Sequence, residues 1–195
     1  LGHIFIGEHL TNKNVRYCVN SLSLSLEEKN IAASNGVKKA YFSGGCFWGV
    51  EYYMEKLNGV AHVESGYMGG HSKNPTYNDV SQGNTGHYET VEVVYNPNII
   101  SYDSLVRYFL EIHDPTQING QGPDIGPQYR SAIFVQNEQE RHIANALLDK
   151  LRQKKFHIAT KIIPFSPFYK AESYHQNYYQ NKGTRPYCHT YVKRF

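Results

Sequence analysis

Long apolar runs are missing from this 195-residue chain. No stretch nears the roughly 18 consecutive apolar residues that a membrane helix needs. Cysteine is scarce, and Cys18, Cys46 and Cys188 lie far apart. That spacing excludes paired zinc ligands and a secreted-type disulfide framework. Reactive thiols in a reducing compartment fit better, so a cytoplasmic location is expected. Charge of one sign is also lacking. The net charge is only +3, and no lysine–arginine cluster interleaves with aromatics, so nucleic-acid binding finds no support. Histidine is plentiful, yet His62, His71, His87, His113, His175 and His189 show no metal-ligand spacing, and no metal site is expected. There is no internal repeat and no low-complexity tract. The chain begins with Leu1 and not Met, so it reads as a fragment or a processed form whose upstream targeting segment is missing.

What is present is apolar material for a core, 40% of residues, and 17 tyrosines, many beside Gly, Pro, Asn or His. Residues 1–26 look unlike the rest. Two strand-like runs, Leu1–Phe5 and Val15–Asn20, flank a polar turn at Thr11–Asn14. Residues 27–37 are polar and read as a linker, which leaves 38–195 as the main domain. In that domain strands are predicted at 38–42, 60–67, 89–95, 130–135 and 158–163. Glu89–Tyr95 alternates polar and apolar, as a half-buried strand does. Helices are predicted after Cys46, after the cap Ser101, after Asn137 with Glu140 as a capping box, and briefly at 172–181. Two glycine-rich loops, 69–86 and 114–128, separate them. The mixture lacks a strict βαβ repeat, so the class is α+β, one sheet flanked by helices, with a long irregular tail from Gly183.

The chain is organised around Gly44-Gly45-Cys46-Phe47-Trp48-Gly49. Phe47, Val50, Met54 and Leu57 fall at helical spacing and Asn58-Gly59 supplies a stop, so Cys46 belongs at a strand-to-helix turn. Free N–H groups and the helix dipole favour a thiolate there. The alternative is a small buried hydrophobe, and the local pattern alone does not choose. Glu89 and Glu92 fall on opposite faces of their strand, so one should point inward. A buried carboxyl holds its proton near neutrality and serves as a general acid, whereas an edge-strand glutamate is merely hydrated. Tyr77 and Tyr129 stand at loop-to-element junctions as candidate hydroxyl donors or packing residues. Asp124 lies in a tight loop, where an aspartate usually bonds its own backbone. His87 or His113 is a candidate assistant to a nucleophile. Cys188 is either an exposed inert thiol or a mobile one that swings to Cys46 and closes a disulfide.

Taken together, these blocks resemble a known family. Gly44–Gly49 resembles the signature of A-type peptide methionine sulfoxide reductases. Gly66–Gly70, Asn74–Tyr77, Thr85–Glu89, His113–Pro115 and Gly126–Ala132 match in order and interval, over about Lys38 to Cys188. The resemblance implies a two-layer, ferredoxin-like core. It also implies an enzyme that reduces the S epimer of methionine sulfoxide, peptide-bound or free, without metal or organic cofactor. Cys46 would be the nucleophile and Glu89 the proton donor. Tyr77 and Tyr129 would bond the sulfoxide oxygen, and Asp124 would organise the site through water. Phe47 and Trp48 would form the methyl pocket. Cys188 would be the resolving cysteine, and a thioredoxin-like dithiol would reduce the resulting disulfide. Ser81 stands where some members carry a cysteine. The chain ends at Phe195 without a further cysteine, which implies a single resolving step. Other thiol enzymes acting on peroxides or disulfides, and a non-catalytic binding module, are the rivals.

The front segment has its own likeness. Leu1–Phe5 with Arg16–Ser21 resembles the C-terminal end of a B-type methionine sulfoxide reductase. Cys18 would match that enzyme's nucleophile, with His3 and Asn20 nearby. The resemblance implies a remnant of a bifunctional bacterial fusion, inactive on R-sulfoxide because the rest of its barrel is absent.

Overall fold

A computed structural model of the chain describes residues 36–195, together with the backbone of two short strands, β1 (His3–Ile6) and β2 (Val15–Cys18). Backbone contacts divide the chain into two units, Leu1–Gly36 and Val37–Phe195. In the first unit β1 and β2 pair antiparallel, with His3 opposite Cys18. The turn at Thr11–Asn14, Asn20, linker residues 27–35 and the side chains of His3 and Cys18 lie outside the described residues.

In the second unit, apolar residues spaced two apart give neighbouring strands a shared face. Ala40 and Phe42 of β3 (Lys38–Gly44) lie beside Val91 and Val93 of β5 (Tyr88–Tyr95). That face meets α1 (Phe47–Met54), whose Phe47, Val50 and Met54 are buried. The chain returns as β4 (Val60–Met68), antiparallel to β5 on its other side. Next come α2 (Tyr77–Ser81) and α3 (Tyr102–Ile112), the latter burying Leu105, Val106, Phe109 and Ile112. A small ribbon follows, made of β6 (Gly120–Gln121) and β7 (Asp124–Ile125). Then come β8 (Ser131–Val135), α4 (Glu138–Gln153), β9 (Lys161–Pro164), β10 (Tyr169–Lys170) and α5 (Tyr178–Lys182).

The sheet order is β10-β4-β5-β3-β8-β9, antiparallel except for the β8–β9 pair. Its inner four strands with α1 and α3 form β-α-β-β-α-β in the order 4-1-3-2, the ferredoxin-like arrangement. Helices α1, α3 and α4 share one core with one sheet face. The other face is covered by a smaller cluster around Tyr41, Met68, Tyr88 and Phe134, closed by Phe168. Both faces are therefore buried, which corrects the half-buried reading of 89–95. Glu89 and Glu92 are both inside, Glu92 held by Lys39 (2.8 Å) and the Tyr41 hydroxyl (2.7 Å).

Other expectations shift locally. The 69–86 loop contains α2, because Thr76 and Asp79 form a complete capping box. The 114–128 loop contains the β6–β7 ribbon. Helix α1 ends at Met54, before the Asn58-Gly59 stop. At α4 Asn137 caps the Glu140 N–H, but the Glu140 carboxylate reaches back to Gln136 instead of Asn137. The helix expected over 172–181 is a 3-10 turn, Ser173–His175, and then α5, broken where Asn177 adopts φ 53°. Among the described residues, no helix is long and apolar enough to cross a membrane.

Candidate active site

The turn from β3 to α1 is set by its glycines. Gly45 has φ +93°, a left-handed backbone that only glycine takes without strain. A side chain there would also meet Gln121 at 2.3 Å. Cys46 follows as the N-cap of α1, 8% exposed, with no side-chain cap of its own. The N-terminus of α1 has a carboxylate for a partner: the Phe47 N–H donates to Glu89 Oε2 at 3.0 Å. Glu89 is 2% exposed. Burial pushes its carboxyl up to about 8; the Phe47 N–H pulls the other way, and the charges of Asp124 and Cys188 add to the rise.

Tyr77, at the start of α2, and Tyr129, before β8, have hydroxyls in hydrogen-bonding reach of each other. Both phenols are pushed up, first by burial and next by the charge of Glu89, and both also feel Cys46. They hold their protons and remain donors. Asp124 departs from the turn reading: its Oδ1 accepts the Tyr187 hydroxyl at 3.2 Å, and its Oδ2 is buried without a protein partner.

The tail is neither loose nor exposed at Cys188, the two readings its sequence allows. It is instead fastened along its length. Cys188 is 7% exposed and shares a hydrogen bond with Cys46. The Val192 N–H donates to the Glu111 carbonyl at 2.7 Å. The Glu111 carboxylate accepts from Tyr191 Oη (3.0 Å) and from the N–H groups of Arg194 (2.9 Å) and Phe195 (3.2 Å). Of the last-turn carbonyls of α3, which a helix end leaves free, those of Leu110 and Glu111 are satisfied by the tail.

This docking alters the thiol expectation. The hydrogen bond with Cys188, then burial, then the charge of Glu89 push Cys46 up, and only the Trp48 N–H pulls it down. Cys188 is pulled down, first by Cys46 and also by His189. The helix terminus is worth at most about 2 kcal/mol, or about one and a half pKa units. With the tail docked, the opposing effects win and Cys46 holds the proton of the pair.

Phe47 and Trp48 begin an aromatic wall. Trp48 lies flat on Tyr178, with centroids 3.5 Å apart and planes within 3°. Its Nε1–H donates to His175 Nδ1 at 3.0 Å. The His175 ring sits between Phe47 (5.0 Å) and Tyr77 (4.7 Å), and burial keeps it neutral by lowering its pKa. The Glu172 carboxylate ties Tyr67 Oη (3.0 Å) to the Tyr77 N–H (2.8 Å) behind it. The sequence gives His175, Tyr178 and Glu172 no role at the site. The only signal for them was the density of aromatics over 174–179.

The two histidines considered as assistants have other work. His113 bonds the Phe109 carbonyl (2.7 Å) and Ser131 Oγ (2.8 Å), and His87 bridges Ser72 and Gly70. Among the described residues, no three His, Cys, Asp or Glu side chains are grouped to hold a metal. A cavity of about 740 Å³ lies elsewhere, against Arg130, Arg152, Lys155 and Lys161. Its Arg152 already pairs with Asp149, and Arg130 with the Pro127 carbonyl and the Tyr88 ring.

The family profile described as peptide methionine sulfoxide reductase matches residues 38–195. The chain belongs to that family. The reductase MsrA of Thermus thermophilus is 45% identical over 150 residues, covering 76% of this chain and 85% of that protein. The MsrA of Deinococcus radiodurans is 41% identical over 186 residues, covering 94% and 88%. Reduced yeast Mxr1 superposes with a TM-score of 0.75 at 34% identity, over 83% of this chain and 94% of that one. Methionine sulfoxide reductase A of Corynebacterium diphtheriae gives 0.70 at 36% identity, over 77% of each. Yeast Mxr1 has also been solved in complex with Trx2; at 24% identity and a TM-score of 0.53, that likeness shows the fold. This peptide methionine sulfoxide reductase is an oxidoreductase, and its activity is methionine sulfoxide reduction.

Proposed function

We propose that Cys46 is the nucleophile that attacks the sulfoxide sulfur and that Glu89 supplies the proton. The observation that carries this is the meeting of Cys46 and a buried Glu89 at the head of α1. Oxide is a very poor leaving group, so a proton must arrive as the S–O bond weakens. Cys46 first passes the proton of the pair to Cys188; the resulting Cys46 thiolate, the Glu89 proton and the sulfoxide oxygen then become a sulfenic acid on Cys46, with methionine released, Glu89 left ionised and Cys188 left as the thiol. Tyr77 and Tyr129 donate to the oxygen as charge grows on it. Asp124, with one buried oxygen unmatched by protein, orders water at the site. Phe47 and Trp48 enclose the methyl group, and the S epimer is the one accepted, since each epimer has its own enzyme type.

Cys188 then attacks the sulfenic acid and forms a Cys46–Cys188 disulfide. A thioredoxin-like dithiol reduces it by exchange; a yeast relative solved with Trx2 supports this partner. Substrates are oxidised proteins and free methionine sulfoxide. The chemistry is protein repair under oxidative stress, and a reducing compartment such as the bacterial cytoplasm suits a cycle that must return two free thiols. The front segment is read as the remnant of a B-type reductase from a bifunctional chain. Cys18 stands at its nucleophile position.

The test is one turnover on methionine-S-sulfoxide without reductant, followed by peptide mapping. One methionine per chain and a Cys46–Cys188 bond are expected. Methionine formed by a Cys46→Ser variant would refute the reading.

A further inference from the structure

His189 is the tail residue the reaction above does not use. It is 2% exposed. Its Nδ1 lies 3.1 Å from Cys188 Sγ and its Nε2 lies 2.7 Å from the Gly44 carbonyl. A carbonyl only accepts, so Nε2 carries the hydrogen and Nδ1 turns its lone pair toward Cys188, ready for the proton that Cys188 receives when Cys46 ionises. The ring has a fitted seat. A Cβ on Gly49 would lie 2.1 Å from His189 Nδ1, so the second glycine flank of the cysteine motif is empty where the imidazole sits. The Tyr53 hydroxyl holds the His189 carbonyl at 3.4 Å.

We propose that His189 is the general base that activates Cys188 in disulfide closure. This rests on the assignment of Cys188 as the resolving thiol. His189 Nδ1 takes the Cys188 proton. The Cys188 sulfur, now the electron-pair donor, attacks the sulfenic sulfur of Cys46. The S–S bond forms and the S–OH bond breaks. Cys188 is oxidised and the sulfenic sulfur is reduced to the disulfide level. Hydroxide departs with the proton lodged on His189, as water. An unaided thiol is only a few per cent ionised at pH 7; a fixed imidazole removes that limit. Glu89 and Asp124, both able to carry negative charge, face the Cys188 sulfur, as do the phenols of Tyr179 and Tyr187. On the imidazole side stands His113, which burial keeps neutral by lowering its pKa to about 3. None of these has a nitrogen lone pair directed at Cys188, since both His113 nitrogens are engaged by the Phe109 carbonyl and Ser131 Oγ.

The experiment is rapid-quench single turnover with one equivalent of methionine-S-sulfoxide. Methionine release is followed separately from disulfide closure, and uncapped sulfenic acid is trapped with dimedone. In the unaltered chain, closure should stop rising with pH well below the free-thiol range of about 8.5. His189→Gln keeps a donor for the Gly44 carbonyl but has no basic nitrogen. Its methionine burst should persist, its closure should slow at least tenfold at pH 7, and its closure should keep rising through about pH 8.5. Dimedone adduct should accumulate on Cys46. Unchanged closure with an unchanged pH profile would overturn the proposal, and so would an unaltered chain whose closure follows a free thiol. Cys188→Ser separates the underlying assignment: an intramolecular disulfide in that variant would remove Cys188 from the resolving role, however His189→Gln behaves.

Discussion

A glutamate at one position has been given no solvent and one backbone N–H. That costs stability whenever Glu89 ionises. Its folded pKa, about 8, lies above the ordinary carboxyl value of about 4.3. The folded state therefore binds more protons between those values, and stability falls as pH rises through that window. Glu89→Gln removes the penalty and the proton together. Thermal melts should show the variant matching or exceeding the parent by a few degrees at pH 9, with the gap closing near pH 4. Its single-turnover methionine formation should fall about 10²–10⁴-fold, the usual share of a general acid. Reduction of the preformed disulfide by thioredoxin should be unaffected. In the parent, methionine formation should decline above about pH 8 as Glu89 ionises. An undiminished single-turnover rate in Glu89→Gln would take the acid role away from this residue.

At the next scale up, two elements must be brought together: the head of α1 and a tail with no helix or strand of its own. The tail is held by what α3 leaves unsatisfied. Glu111 accepts one N–H on its carbonyl and three donors on its carboxylate, all from residues 191–195. Hydrogen bonds to a charged group are worth about 1.5–3 kcal/mol each at most, and less where water competes. Glu111→Ala therefore loosens the tail without touching the sulfoxide site. The expected outcome is faster backbone hydrogen exchange over 187–195, slower disulfide closure, and methionine formation within about twofold of the parent. If closure keeps its full rate while exchange accelerates, tail docking is not what brings Cys188 to Cys46. Little of this anchoring was legible in the sequence. Cys46 at a strand-to-helix turn was readable, because glycines, apolar spacing and a following helix all act locally. Cys188 read as a loose thiol because its restraints come from Asp124, Gly44 and Glu111, residues 64 or more positions away. Glu89 was half legible: strand alternation put it opposite Glu92, but the second burial layer around Phe134 and Phe168 leaves no trace in the period.

For the molecule as a whole, the inner four-strand order explains why the reaction is assembled where it is. Placing β5 between β3 and β4 puts Glu89 across from Tyr67 and beside the exit of β3, where the chain turns into α1. Each residue assigned to sulfoxide reduction belongs to the unit Val37–Phe195, which is also the stretch the family profile covers from 38 onward. The first unit contributes β1 and β2, and a two-stranded ribbon is marginal in water by itself. Removing residues 1–36 should therefore keep kcat/KM for methionine-S-sulfoxide within about twofold, since no assigned group is lost. Neither the shortened nor the intact chain should turn over methionine-R-sulfoxide. Steady-state assays on the separated epimers with thioredoxin as reductant decide both points. R-epimer turnover that vanishes with Cys18→Ser would show that the first unit is a working site and that the chain carries two chemistries.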